Sequence, residues 1–143
     1  LYRALHRAGF ANQSSFESAD DGLKLIDCMI TATAHCAPPD NKPTTDEVGN
    51  CEEYLTRTFV LLKPKVIIAL GSIAWAAVFV ELKKRNRWSK GTPKFGHAAE
   101  VELEDGTLIL GSYHPSQQNT FTGRLTEPMF DSVFTRAKLA LSV

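Results

Sequence analysis

The run KVIIALGS, residues 65–72, constrains the fold more than any other stretch. VIIAL is continuously apolar, with no polar alternation to give it a solvent face, so a strand made from it must be covered on both sides. Such strands occur in parallel sheets flanked by helices. The run is far too short to span a bilayer as a helix. Gly71 and Ser72 then turn the chain, and IAWAAVFVELKK continues as a helix.

The neighbouring segments repeat this alternation. LYRALHRAGF reads as a helix, with Leu1, Leu5 and Ala8 on one face and Gly9 as its stop. ANQSSFESADDG is a polar loop, and LKLIDCMITAT reads as a strand over residues 23–34. HCAPPDNKPTT cannot be regular helix because of its three prolines. Thr44 and Glu47 form a capping box, which predicts a helix over 45–62 that Pro64 ends. NRWSKGTPKFGH is irregular; AAEVEL and TLILGSY are strands joined around Asp105–Gly106, a strong hairpin signal. The chain closes on an amphipathic helix capped by Thr126, with Met129, Val133, Phe134, Ala137 and Leu141 as its apolar stripe. The expectation is an α/β fold: one domain over residues 1–143, a three-layer α/β/α sandwich around a mostly parallel sheet. Because the chain starts inside a helix without Met, the first part of that domain is expected to be missing.

The chain has 143 residues, 43% hydrophobic and 22% charged, a globular balance without a secretory signal pattern. Net charge is zero, which argues against a strongly basic nucleic-acid coat. The halves differ, however. Residues 1–61 hold 5 Lys/Arg against 9 Asp/Glu, and residues 62–143 hold 11 against 7, so a polyanion should prefer the second half. Three cysteines without an export signal fit a reducing compartment.

Three loops follow strands and are expected together at the carboxyl edge of the sheet, where open α/β sheets bind ligands. They are the CAPPDNKP loop, the Gly71–Ser72 turn and the polar stretch HPSQQNTFTGRL. His114 is either a turn residue before proline or an imidazole able to donate to an anion in the cleft. Asn119, Thr120, Thr122, Gly123 and Arg124 suit phosphate and sugar contacts, or form a solvated loop. Asn41 is a turn residue or an amide facing the cleft, and Ser72 opens a helix N-terminus that serves as a cap or an anion site. Cys36 and Cys51, fourteen residues apart, are on spacing alone no metal site, which needs about four ligands. Cys28 reads as a core residue. KKRNRWSK, with five basic residues in eight, reads as a solvated helix end complementing the helix dipole, or as a DNA contact.

HPSQQNTFTGRLTEPMF resembles the C-terminal motif of the uracil-DNA glycosylases, in particular the bacterial and archaeal family 5, or type B. HCAPPDNKPT, the helix-opening Cys51 and PKVIIALGSIAW resemble the middle of the same proteins, in the same order. The resemblance covers most of residues 24–141. It implies a DNA-repair enzyme that hydrolyses the N-glycosidic bond of uracil, and of other deaminated bases such as hypoxanthine and xanthine. It also implies a 4Fe–4S cluster with four cysteine ligands, of which Cys36 and Cys51 match the second pair. The first pair and the family's first motif are expected upstream of residue 1.

By the same resemblance, His114 stabilises the departing base anion and Pro115 and Ser116 grip the backbone beside the lesion. Gln117 and Gln118 fall at the loop tip, where related enzymes push a side chain into the vacated stack. Thr122 and Arg124 hold phosphates and Ser72 assists. Family 4 reads uracil with an Asn four residues before the first of these cysteines; here that position is Ala32, and Asn41 is the candidate for a remaining polar contact. The partner implied is DNA, with no membrane, in a monomer of the bacterial or archaeal cytoplasm and nucleoid. The alternative is a catalytically incomplete piece that only binds DNA.

Overall fold

A computed structural model describes residues 1–15, 17–18, 20–31 and 52–142, with backbone alone at 52–54 and 117. Its elements are α1 (Tyr2–Ala8), α2 (Glu52–Leu62), β1 (Val66–Leu70), α3 (Ser72–Lys84), β2 (Glu100–Glu102), β3 (Leu108–Ser112), α4 (Gln117–Phe121) and α5 (Glu127–Leu141). The described strands form one sheet in the order β1-β3-β2. β1 and β3 run parallel, from Val66 opposite Leu108 to Leu70 opposite Ser112. β2 returns antiparallel to β3 through the Asp105–Gly106 turn, so the described sheet is mixed, one pairing of each kind.

Side-chain alternation along the strands divides the interior in two. Leu108 and Leu110, with Val66, Ile68 and Leu70, face a cluster built from Leu5 of α1 and Phe130, Val133, Phe134 and Ala137 of α5. Ile67, Ala69 and Ile109 face the other cluster, built from Leu55 and Phe59 of α2 and Trp75, Val78, Phe79 and Leu82 of α3. This is the reason VIIAL and LIL carry no polar alternation: both faces lie under helices. Each large side chain so buried contributes roughly 1.5–3 kcal/mol of hydrophobic free energy.

Local chemistry sets the boundaries. Gly9, at φ +87°, ends α1 in the left-handed region. Thr126 caps α5, its side chain accepting the Met129 N–H. Phe130 belongs to the buried stripe of α5, while Met129 and Leu141 lie at its margins.

Two expectations are corrected. Residues 23–31 form no strand; Leu25 makes a single antiparallel bridge to Ala11, and Ile26 donates to the Phe10 carbonyl at 2.8 Å. Among the described residues it pairs only with the few that leave α1, and Asp27 at φ +53° breaks the extended conformation. The polar stretch after β3 is likewise not wholly irregular, because 117–121 makes a short helix. The expected helix start, the proline-rich loop and residues 32–34 lie outside the described residues.

Candidate functional site

The parallel pairing of β1 and β3 brings two chain segments to one edge. Leu70 and Ser112 are register partners, and the Gly71 N–H donates to the Ser112 carbonyl at 2.8 Å. The Gly71–Ser72 turn and the Tyr113–His114 segment therefore leave the sheet side by side. Gly71 has φ +96° and ψ 166°, a conformation almost restricted to glycine. A side chain there would lie 3.5 Å from the Cβ of His114, so the glycine marks where the His114 side chain crosses the start of α3.

His114 is exposed at this edge rather than packed inward. Its backbone, by contrast, is held. The His114 carbonyl accepts the Ser116 N–H at 2.8 Å and the Asn119 Nδ2 amide at 2.9 Å. Ser116 caps α4, its Oγ accepting the Asn119 N–H at 3.2 Å, and the Asn119 carbonyl accepts the Leu125 N–H at 3.0 Å. Leu125 is buried and pins the far end of the loop into the core. A segment that looks in sequence like a list of solvent-facing polar groups thus spends many of them internally. Thr120 and Thr122 hydroxyls donate to the Ser116 and Gln118 carbonyls.

Gln118, Phe121 and Arg124 are among the exposed side chains of this loop, with Gly123 (φ +74°) making the exit turn. Phe121 is 83% exposed, unusual for a large aromatic ring. The Arg124 guanidinium lies 4.9 Å from the centre of the Tyr113 ring, a cation–π contact that leaves its donors free for an anion. Ser72, the first residue of α3, is exposed, and Gly71 before it has no side chain to cap the helix, so the first N–H groups of α3 also open onto this edge.

Of the expected site residues, the structure brings together Ser72, His114, Pro115, Ser116, Gln117, Gln118, Asn119, Thr122, Gly123 and Arg124. Asn41, Ala32, Cys36 and Cys51 lie outside the described residues. The basic run lies elsewhere. α3 starts at the carboxyl edge and returns antiparallel to β1, so its end is at the opposite edge; there Arg85 pairs with Glu81 and Arg87 with Asp105.

Gly111 was missed in the sequence. A side chain on it would meet the Gly96 carbonyl at 2.9 Å and the Trp75 ring at 3.2 Å. A glycine inside an apolar strand is the signal for such a close approach.

Among the described residues no group of three or more His, Cys, Asp or Glu could hold a metal ion, and the described thiol, Cys28, is half-buried with its pKa pushed up by burial. The described part does not by itself fit an iron–sulfur cluster.

The family model of the uracil DNA glycosylase superfamily matches residues 1–138. The chain is 45% identical over 142 residues to a type-5 uracil-DNA glycosylase of Mycobacterium tuberculosis, covering 96% of this chain and 51% of the relative. It is 40% identical over 139 residues to the type-5 uracil-DNA glycosylase of Thermus thermophilus, covering 96% and 61%. Type-4 relatives match more weakly; that of Pyrobaculum aerophilum is 36% identical over 100 residues. The chain thus spans roughly half to three-fifths of the length of these type-5 relatives.

Proposed function

We propose, from the premise that this chain belongs to the uracil DNA glycosylase superfamily, that its protein excises uracil from DNA by hydrolysing the N-glycosidic bond. The observation that carries the reading is the placement of His114, with its ring free at the carboxyl edge of the sheet and its backbone fixed by Ser116 and Asn119. A damaged base is inaccessible inside a stack and must be rotated out before its bond to deoxyribose is reached. As that bond breaks, positive charge develops on the sugar and negative charge on the base. The His114 imidazole donates a hydrogen bond to the base oxygen that takes up this charge. A donor held in place before the reaction begins needs no reorganisation in the transition state, and is worth about 3–4 kcal/mol of barrier.

The surrounding residues supply grip. Arg124 and the backbone N–H groups at the start of α3, beside Ser72, face DNA phosphates; Pro115, Ser116 and Thr122 lie along the same edge. Gln118 and Phe121 are exposed side chains available to fill the gap left in the stack, a role the resemblance also gives to Gln117. Ala32 offers no side-chain amide to read the uracil edge, which supports a wider range of deaminated bases, including hypoxanthine and xanthine, with Asn41 as a remaining polar contact. In the whole protein, Cys36 and Cys51 are assigned as two of the four ligands of a 4Fe–4S cluster; no step of the bond cleavage is routed through it.

In full-length protein, His114→Ala is expected to lower the single-turnover excision rate by about a hundredfold or more, with DNA affinity changed little. A rate near that of the unsubstituted protein removes His114 from the chemistry.

A further inference from the structure

We propose that His97, outside the loop that carries His114, is a positioning residue that fixes where that loop leaves the sheet. Tyr113 is the first residue beyond β3, and its backbone N–H has run past both strand ladders, which end at Ser112 on the β1 side and Leu110 on the β2 side. That N–H donates to Nδ1 of His97 at 3.2 Å. The other ring nitrogen, Nε2, lies 2.9 Å from the Met129 carbonyl in the first turn of α5. A backbone N–H only donates and a carbonyl only accepts. Both contacts are made together by a single form of the ring, the neutral tautomer with its hydrogen on Nε2.

The imidazole therefore bridges the exit of β3 and the start of α5, the two ends between which the 114–125 loop is slung. The segment carrying His97 is itself clamped to β3. The Ala98 N–H donates to the Gly111 carbonyl, and the Gly111 N–H to the Ala99 carbonyl, each at 2.9 Å. Gly111 has no side chain to keep the Gly96 carbonyl away. The ring also lies against Tyr113, centroids 5.1 Å apart, and Tyr113 in turn receives Arg124. One half-buried histidine thus controls the backbone immediately before His114 and, through the Tyr113 ring, the seat of Arg124. It touches no reacting atom; it acts through Tyr113.

The inference rests on the glycosylase reading for its activity readout, and full-length protein tests it with two substitutions that separate the two hydrogen bonds. His97→Asn keeps an acceptor at the place of Nδ1 and gives up the reach to Met129. His97→Gln keeps a donor at the place of Nε2 and gives up the acceptor for Tyr113. With enzyme saturating over uracil-containing DNA, His97→Gln and His97→Ala are expected to lose tenfold or more in single-turnover rate, and His97→Asn to stay within threefold. Dissociation constants for DNA should change less than the rates. Glutamine and alanine variants within threefold of the unsubstituted rate overturn the proposal, as does an equal loss in all three that tracks their melting temperatures.

Two NMR measurements decide the point independently of activity. The imidazole nitrogen shifts of His97 are expected to show hydrogen on Nε2 alone at neutral pH. The Tyr113 amide is expected to exchange with solvent at least tenfold faster in His97→Gln than in His97→Asn. Hydrogen on Nδ1, or equal exchange in the two variants, overturns the proposal. If the unsubstituted protein excises no uracil, the functional reading falls, and these two measurements still judge His97.

Discussion

At the scale of single residues, the site depends on groups that are easy to read as ordinary. Gly71 looks in sequence like a turn glycine, but its φ of +96° and its place against His114 make it the point where two loops are allowed to touch. Gly71→Ala is expected to cost about 1–3 kcal/mol of stability, because the cost is backbone strain rather than a clash with His114. Urea unfolding of the two proteins measures the cost, and single-turnover excision by the full-length variant should fall as well, since relief of the strain moves the start of α3 against the His114 ring. An unchanged unfolding midpoint contradicts the strain. The roles of Asn119 and Ser116 were only half legible. Their residue types announce hydrogen bonding, yet nothing in the sequence says that the Asn119 amide turns back to the His114 carbonyl.

At the scale of elements, the pairing of β2 with β3 was legible, because Asp105–Gly106 marks a turn by local chemistry, but β2 is only Glu100–Glu102 where AAEVEL suggested a longer strand. The structure adds the turn's electrostatics. The Thr107 N–H and hydroxyl, followed by Arg87, hold the Asp105 carboxyl below the usual carboxylate range. A carboxyl whose folded pKa is depressed stabilises the fold above its unfolded pKa, about 3.9, and that contribution is lost as pH falls through the folded value. Asp105→Asn should therefore lower the melting temperature at neutral pH, and the difference from the unsubstituted protein should close as pH falls from the unfolded value through the depressed folded one. A difference that stays constant through the acid range contradicts the linkage. The described part of the expected 23–34 strand, residues 23–31, shows the opposite case. Its β-rich composition reads as a strand, but a strand exists only where a partner runs beside it, and among the described residues Leu25 has little more than Ala11.

At the scale of the whole molecule, the described residues form a two-faced sheet core with helices on both sides, and none of their helices is long and apolar enough to cross a membrane. The chain spans about half the length of the mycobacterial type-5 relatives. In a uracil-release assay the 143-residue chain alone is expected to be at least about a hundredfold slower than full-length protein, in keeping with the loss of several preorganised groups. Comparable rates would mean that the edge carrying His114 is sufficient by itself.

The sequence by itself determined the layer architecture and the edge of the sheet at which the candidate residues lie. Continuous apolar strands, capped helices and an Asp–Gly turn are decided by local solvation and backbone geometry, and the order HPSQQNTFTGRL after β3 follows from them. Tertiary structure alone decided which polar groups face solvent and which are consumed inside. Those outcomes depend on contacts between residues far apart in the chain, such as His97 with Met129 and Gly71 with Ser112, and on how closely two backbones pass at Gly111. Hydrogen-bond valence is a local property of each residue type; its partner is fixed only when the sheet has brought distant segments within 3 Å or so of one another.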